Sequence, residues 1–179
     1  MKEEIIIAGF GGQGVMSMGQ FLTYAGLKEG KEVTWFPSYG PEQRGGTANV
    51  SVVISDQPVD SPVIDEPTAF LALNKPSFNK FYSHVKESGN IFINSDLITN
   101  YAKRNDVVIH EITATQIAQH IGNERIAGMV LLGAFIEKTG ILSKESLYSA
   151  LKDVLGESKK HLIPMNKKAI LEGIHVMQD

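Results

Sequence analysis

Glu4–Val15 reads EIIIAGFGGQGV, and the fold is decided in this stretch. Glu4 to Gly9, an apolar run that closes on glycine, predicts a strand buried on both faces, the usual state of a central parallel strand. Gly9-Phe10-Gly11-Gly12-Gln13-Gly14 then follows the G-x-G-x-x-G spacing. A helix is expected from Val15 to Glu29, where Val15, Met18, Leu22 and Ala25 recur at helical intervals and Gly30 is placed to end it. Glycines at such a turn let backbone amides approach a phosphate at the positive end of the helix. They can equally serve only to let helix and strand pack closely, and both readings stand on the motif alone.

The second half of a dinucleotide fingerprint is missing. A nicotinamide site needs an acidic residue at the end of the second strand to hold the ribose hydroxyls. That strand, expected over Lys31–Phe36, runs into Pro37 and Ser38 with neither an acid nor an arginine at its end. No G-x-x-x-x-G-K-[ST] is present, which excludes a P-loop nucleotide hydrolase.

Further along, Pro37–Gly46 reads as a loop and Thr47–Ser55 as a strand wetter on one face than the other. Asp56–Pro67, with three prolines, is connector. Strands are expected over Ala69–Leu73, Asn90–Asn94 and Val107–Ile112. Helices are expected over Pro76–Tyr82, Ala114–Ile121, Ile126–Lys138 ending at Gly140, Ser143–Leu155, and a last one through Met177. Alternating strands and helices predict a three-layer α/β/α sandwich with a mostly parallel, Rossmann-like sheet, residues 1–179 forming one domain.

Composition narrows the function. The chain has 179 residues, 17 basic and 20 acidic side chains, a formal net charge of -3 and no cysteine. That charge gives no pull toward nucleic acid. Without cysteine there is no disulfide, thiolate zinc site, thiol nucleophile or cysteine-ligated iron–sulfur cluster. The acidic start, Met1-Lys2-Glu3-Glu4, does not read as a signal peptide, and no apolar stretch is long enough to span a membrane; a cytoplasmic setting is expected.

Ten of the 17 glycines lie between Gly9 and Gly46. The second cluster is Gly40-Pro41-Glu42-Gln43-Arg44-Gly45-Gly46. Its proline and glycines set backbone geometry, while Arg44 and nearby amides suit a phosphate, a carboxylate or a partner chain. An ion-paired surface turn is the plainer alternative. The five histidines show no metal-ligand spacing, no serine sits in G-x-S-x-G, and no catalytic constellation is found. Lys159-Lys160 and Lys167-Lys168 read as a solvated helix face, and Trp35 and Phe36 as core or interface packing.

Taken together, GFGGQGV (Gly9–Val15), GPEQRGG (Gly40–Gly46) and ISDQPVDSP (Ile54–Pro62) resemble the gamma subunit of 2-oxoacid:ferredoxin oxidoreductases. The likeness continues through Asn94-Ser95-Asp96, Gly128–Ala134 and Asn166–Gly173, essentially the whole chain. One departure is Gly128, where the family often has asparagine.

The resemblance implies a non-catalytic gamma subunit that helps assemble a complex with alpha, beta and delta-type subunits. Such complexes convert a 2-oxoacid and coenzyme A to acyl-CoA and carbon dioxide, reducing ferredoxin or flavodoxin. Thiamine diphosphate, magnesium and iron–sulfur clusters would sit in the partner subunits. Pyruvate, 2-oxoglutarate, branched-chain and aryl substrates are all compatible, with a lean to 2-oxoglutarate. Gly9, Gly11, Gly12, Gln13 and Gly14 become candidates for an anion, coenzyme A or interface turn; Gly40, Glu42, Arg44, Gly45 and Gly46 become candidates for coenzyme A or partner contact. No catalytic or metal-ligating residue is assigned. The alternatives are a free-standing small nucleotide-binding protein using the G-x-G-x-x-G turn, and a ligand-binding regulator.

Overall fold

The apolar run of the first strand is the centre of the molecule. In a computed structural model, which describes residues 1–39 and 47–179, β1 (Lys2–Phe10) sends Ile5 and Ile7 into one core and Ile6 and Ala8 into another. Those two cores lie on opposite faces of one sheet, because successive strand side chains alternate.

The remaining strands are β2 (Glu32–Tyr39), β3 (Thr47–Ser55), β4 (Ala69–Ala72), β5 (Asn90–Asn94) and β6 (Val108–Ile112). Among the described residues the sheet runs β2-β3-β1-β4-β5-β6. β1, β4, β5 and β6 pair in parallel, whereas β3 lies antiparallel to both β1 and β2. The second strand in sequence is therefore not the neighbour of the first.

The helices are α1 (Val15–Lys28), α2 (Lys75–Phe81), α3 (Ala114–Ile121), α4 (Ala127–Thr139), α5 (Lys144–Leu155) and α6 (Ile163–Gln178). α1 crosses β1, β2 and β3, and α4 lies on β4 and β5, with α5 backing α1 and α6 backing α4. The opposite face is covered by α2 together with Ile64, Ile98 and Tyr101. The three expected layers are present but unequal, one side carrying a double thickness of helix.

Local chemistry explains the element ends. Asn74 caps α2 by accepting the Ser77 N–H at 2.9 Å, and Ser143 caps α5 by accepting the Ser146 N–H at 3.1 Å. Gly140 ends α4 in the left-handed conformation, as its position predicts. α4 is buried from Ala127 to Ile136, so it is apolar all round and shows no amphipathic stripe. Its tight packing on α6 requires two glycines. A Cβ at Gly133 would overlap the Ile170 carbonyl, and one at Gly173 the Val130 carbonyl.

Two expectations change. The loop expected from Pro37 begins later, because β2 continues through Pro37 to Tyr39, with Pro37 opposite Val50. An edge strand tolerates a proline, since only one side of its ladder must be paired. β3 is also drier than its alternation suggests. Val50, Val52 and Ile54 are buried under α1, but Val53 and Ser55 on the other face are buried as well, leaving Asn49 and Ser51 half-buried.

This order creates a switch point. From β1 the chain crosses one face through α1 toward β2; from β4 it crosses the other face through α2 toward β5. The parallel neighbours β1 and β4 therefore diverge at their carboxyl ends, where open α/β sheets form a ligand crevice.

Candidate functional site

The crevice is present as a cleft of about 470 Å³. It is lined by the turn Phe10–Gln13, by Leu73 and Asn94 at the ends of β4 and β5, and by Thr115, Glu124, Arg125, Ala127 and Gly128. Leu97 and Phe10, 47% and 37% exposed, stand on its rim.

The glycines of the turn divide between two tasks. Gly12 and Gly14 hold φ of +91° and +80°, the left-handed region in which side chains are strained. Gly9 is needed for close approach, since a Cβ there would stand 2.7 Å from Gln13 Oε1 and 2.9 Å from the Leu73 Cβ. Gly14 is the N-cap of α1 and supplies no side-chain cap, so the first amides of that helix remain open to an acceptor. Gly11 lines the cleft.

Gln13 proves to be a brace as well as a lining residue. Its Oε1 accepts the Phe10 N–H at 2.7 Å and the Asn74 Nδ2 at 3.0 Å, tying the turn to the start of α2. Asn74 is buried, and its Oδ1 is the α2 cap. One asparagine thus couples the ends of β1 and β4.

A similar device stands at the end of β5. Buried Asn94 donates to Thr115 Oγ1 at 2.8 Å, and Asp96 accepts the Gln116 backbone N–H at 2.9 Å and its Nε2 at 2.6 Å. These bonds cap α3 from outside and set Thr115 in the cleft wall. Asn74, Thr115, Leu97 and Arg125 were not singled out from sequence. The readable signal was an asparagine directly closing an apolar strand, in AFLALN and again in NIFIN.

The candidates Gly40, Glu42, Arg44, Gly45 and Gly46 lie outside the described residues. The described ends that flank them belong to this edge of the sheet, because Thr47 pairs with Phe10 and Tyr39 with Ala48.

The missing ribose anchor has a structural counterpart. With β3 inserted, the end of β2 stands two strand spacings, roughly 10 Å, from β1 instead of one. Even an acid at that end would be too distant for a ribose seated on the turn.

Other singled-out residues serve packing. His110 stacks on Phe92, ring centres 4.7 Å apart, and its Nε2 meets Asn90 Oδ1 at 2.9 Å. Burial, with a smaller contribution from Lys138, lowers its pKa to about 4. Trp35 packs against the core, whereas Phe36 is 51% exposed. Lys167 lies over the Tyr148 ring. Among the described residues no group of three His, Asp or Glu side chains is placed to hold a metal ion.

Fold and cleft define a class: an open α/β domain with a switch-point ligand crevice but without a nicotinamide site. The family is narrower. Residues 4–176 match the model of the pyruvate ferredoxin/flavodoxin oxidoreductase family, and the chain belongs to it. It is 37% identical to the 2-oxoglutarate synthase subunit KorC of Methanocaldococcus jannaschii, over 93% of this chain and 92% of that one. It is 38% identical to the ketoisovalerate oxidoreductase subunit VorA of Methanothermobacter marburgensis, over 93% of this chain but 35% of that one. The chain thus spans about a third of the length of the VorA relatives.

Among solved structures, the gamma subunit of a keto/oxoacid ferredoxin oxidoreductase from Geobacter sulfurreducens superposes with a TM-score of 0.84 at 31% identity, covering 98% of each chain. The 2-oxoglutarate:ferredoxin oxidoreductase from Magnetococcus marinus, with 2-oxoglutarate, coenzyme A and succinyl-CoA bound, gives a TM-score of 0.90 at 25% identity. That match covers 99% of this chain and 31% of that one. A free-standing nucleotide-binding protein is not favoured.

Proposed function

We propose that this chain is the gamma-type subunit of a 2-oxoacid:ferredoxin oxidoreductase. It acts as one domain in a cytoplasmic complex with alpha, beta and delta-type subunits, and is inactive alone. The complex converts a 2-oxoacid and coenzyme A to acyl-CoA and carbon dioxide and passes electrons to ferredoxin or flavodoxin. The observation that carries this reading is the end-to-end likeness, in fold and sequence, to gamma subunits of such enzymes.

Thiamine diphosphate, magnesium and iron–sulfur clusters belong to the partner subunits. This chain has no cysteine thiolate for a cluster and, among its described residues, no carboxylate or histidine group arranged for a metal. Its residues do not fit these groups, and no step of the reaction is routed through it.

What it offers is a wall for coenzyme A. The cleft pairs the apolar rim of Phe10 and Leu97 with the open amides of the glycine turn, suited to a ligand with both an aliphatic arm and anionic groups. Arg44, from the second glycine segment, is assigned to a coenzyme A phosphate or a partner carboxylate. The test is reconstitution of the complex with and without this chain. Omission is expected to abolish turnover that depends on coenzyme A, and Arg44→Ala to weaken assembly or raise the apparent KM for coenzyme A. Partner subunits that turn over unchanged without this chain would refute the reading.

A further inference from the structure

We infer that Arg125 is the cleft residue that recognises the phosphates of coenzyme A, a specificity-determining role that rests on the reading above. Of the two arginines among the described residues, Arg104 is paired with Asp106 at 2.5 Å, while Arg125 has no carboxylate partner there. It is exposed and lines the same cleft as Gly11 and Gly12 of the glycine turn.

Its position is set by backbone, not by its own side chain. Asn123 Oδ1 accepts the Arg125 N–H at 3.0 Å and opens the short 3-10 turn Glu124–Ile126 that leads into α4. Ile126, next in sequence, is buried and pins that turn to the core. The backbone of residue 125 is thereby fixed beside the cleft, and among the described residues the guanidinium has no carboxylate partner. The neighbouring carboxylate, Glu124, also lines the cleft, and its Oε2 accepts from Gln119 Nε2 at 3.3 Å.

The polarity of the cleft orients the ligand. Leu73, Ala127 and Leu97 make an apolar path suited to a pantetheine arm, whereas Arg125 is solvent-exposed, where a phosphate keeps part of its hydration. A guanidinium presents several donors in a planar fork that matches phosphate oxygens, so it discriminates by geometry as well as by charge. A cleft of about 470 Å³ is also far larger than a short 2-oxoacid requires.

The experiment measures dissociation constants of coenzyme A and of phosphate-free pantetheine on the assembled complex, by calorimetry, together with the KM for the 2-oxoacid. The variants are Arg125→Gln, Arg125→Lys and, as a plug at the rim, Leu97→Trp. Both positions are exposed, and the Asn123 bond to residue 125 uses only the backbone. Arg125→Gln is expected to weaken coenzyme A by about 10- to 100-fold while sparing pantetheine, with Arg125→Lys intermediate.

Equal weakening of both ligands by Arg125→Gln would overturn the assignment, as would unchanged coenzyme A affinity accompanied by a raised KM for the 2-oxoacid. If Arg125→Gln has no effect but Leu97→Trp weakens both ligands, the arginine's role fails and the cleft remains the coenzyme A site. If neither variant changes either affinity, the reading of the cleft fails along with that of the arginine.

Discussion

Three glycines in this molecule are alike in the sequence and unlike in what they permit. Gly173 lies against the Val130 carbonyl of the neighbouring helix, so an added methyl meets backbone that cannot rotate away. Gly9 meets the Leu73 side chain and the brace Gln13. At Gly128 a Cβ would stand 2.5 Å from Met18 Sδ, the far part of a flexible side chain. The order of cost follows. Gly173→Ala is expected to lose about 3 kcal/mol or more, Gly9→Ala about 1–3, and Gly128→Ala less than about 1 kcal/mol, measured by urea unfolding. Equal losses for all three would contradict the packing described. The same contrast bears on Gly128 as a departure from the family's frequent asparagine. A larger residue here requires the buried side chain of Met18, on α1, to move.

At the scale of elements, strand ends and helix starts are joined by asparagines. Replacing Asn94 with Leu removes the bond to Thr115 Oγ1 and leaves that wall of the cleft unbraced. A loss of about 1–3 kcal/mol is expected, with faster hydrogen exchange confined to the first turn of α3. Uniform exchange across the chain would argue against local bracing. The β5–β6 pair carries a pH dependence of its own through His110. In the unfolded chain this ring titrates near its ordinary value of 6.5, and in the folded chain at about 4. Between these values the unfolded state binds a proton that the folded state refuses. Stability from this group is therefore full above about pH 7 and falls as pH drops from about 6.5 toward 4. His110→Gln should flatten that part of the stability–pH curve; an unchanged slope would place the effect elsewhere.

Much at this scale was legible. The spans of β3, β5 and α3 coincide with those expected, because apolar periodicity and nearby turn residues mark them. Pro37 misled the end of β2, since a proline stops a central strand but not an edge strand, and edge position is a tertiary property. The cleft was legible only on one wall. G-x-G-x-x-G pointed to the turn, but Thr115, Leu97 and Arg125 reach it through long-range folding and carry no local motif.

For the whole molecule, the order of the strands is what the chain's local patterns could not disclose. An alternating strand such as β3 can pair almost anywhere, because ladder bonds are made by backbone. Its insertion between β1 and β2 separates the two ends that a dinucleotide site must bring together. The resulting domain keeps the crevice and the glycine turn of a nucleotide-binding fold and lacks its ribose anchor. That combination fits a subunit that contributes one wall to a site completed by other chains. The most direct test is purification of this chain, tagged, from its native cell under anaerobic conditions, with the recovered assembly assayed and its components identified. The account predicts that thiamine- and cluster-bearing chains accompany it and that the assembly reduces ferredoxin only when both a 2-oxoacid and coenzyme A are supplied. Recovery of this polypeptide alone, with the 2-oxoacid-oxidising activity of the cell eluting elsewhere, would contradict it.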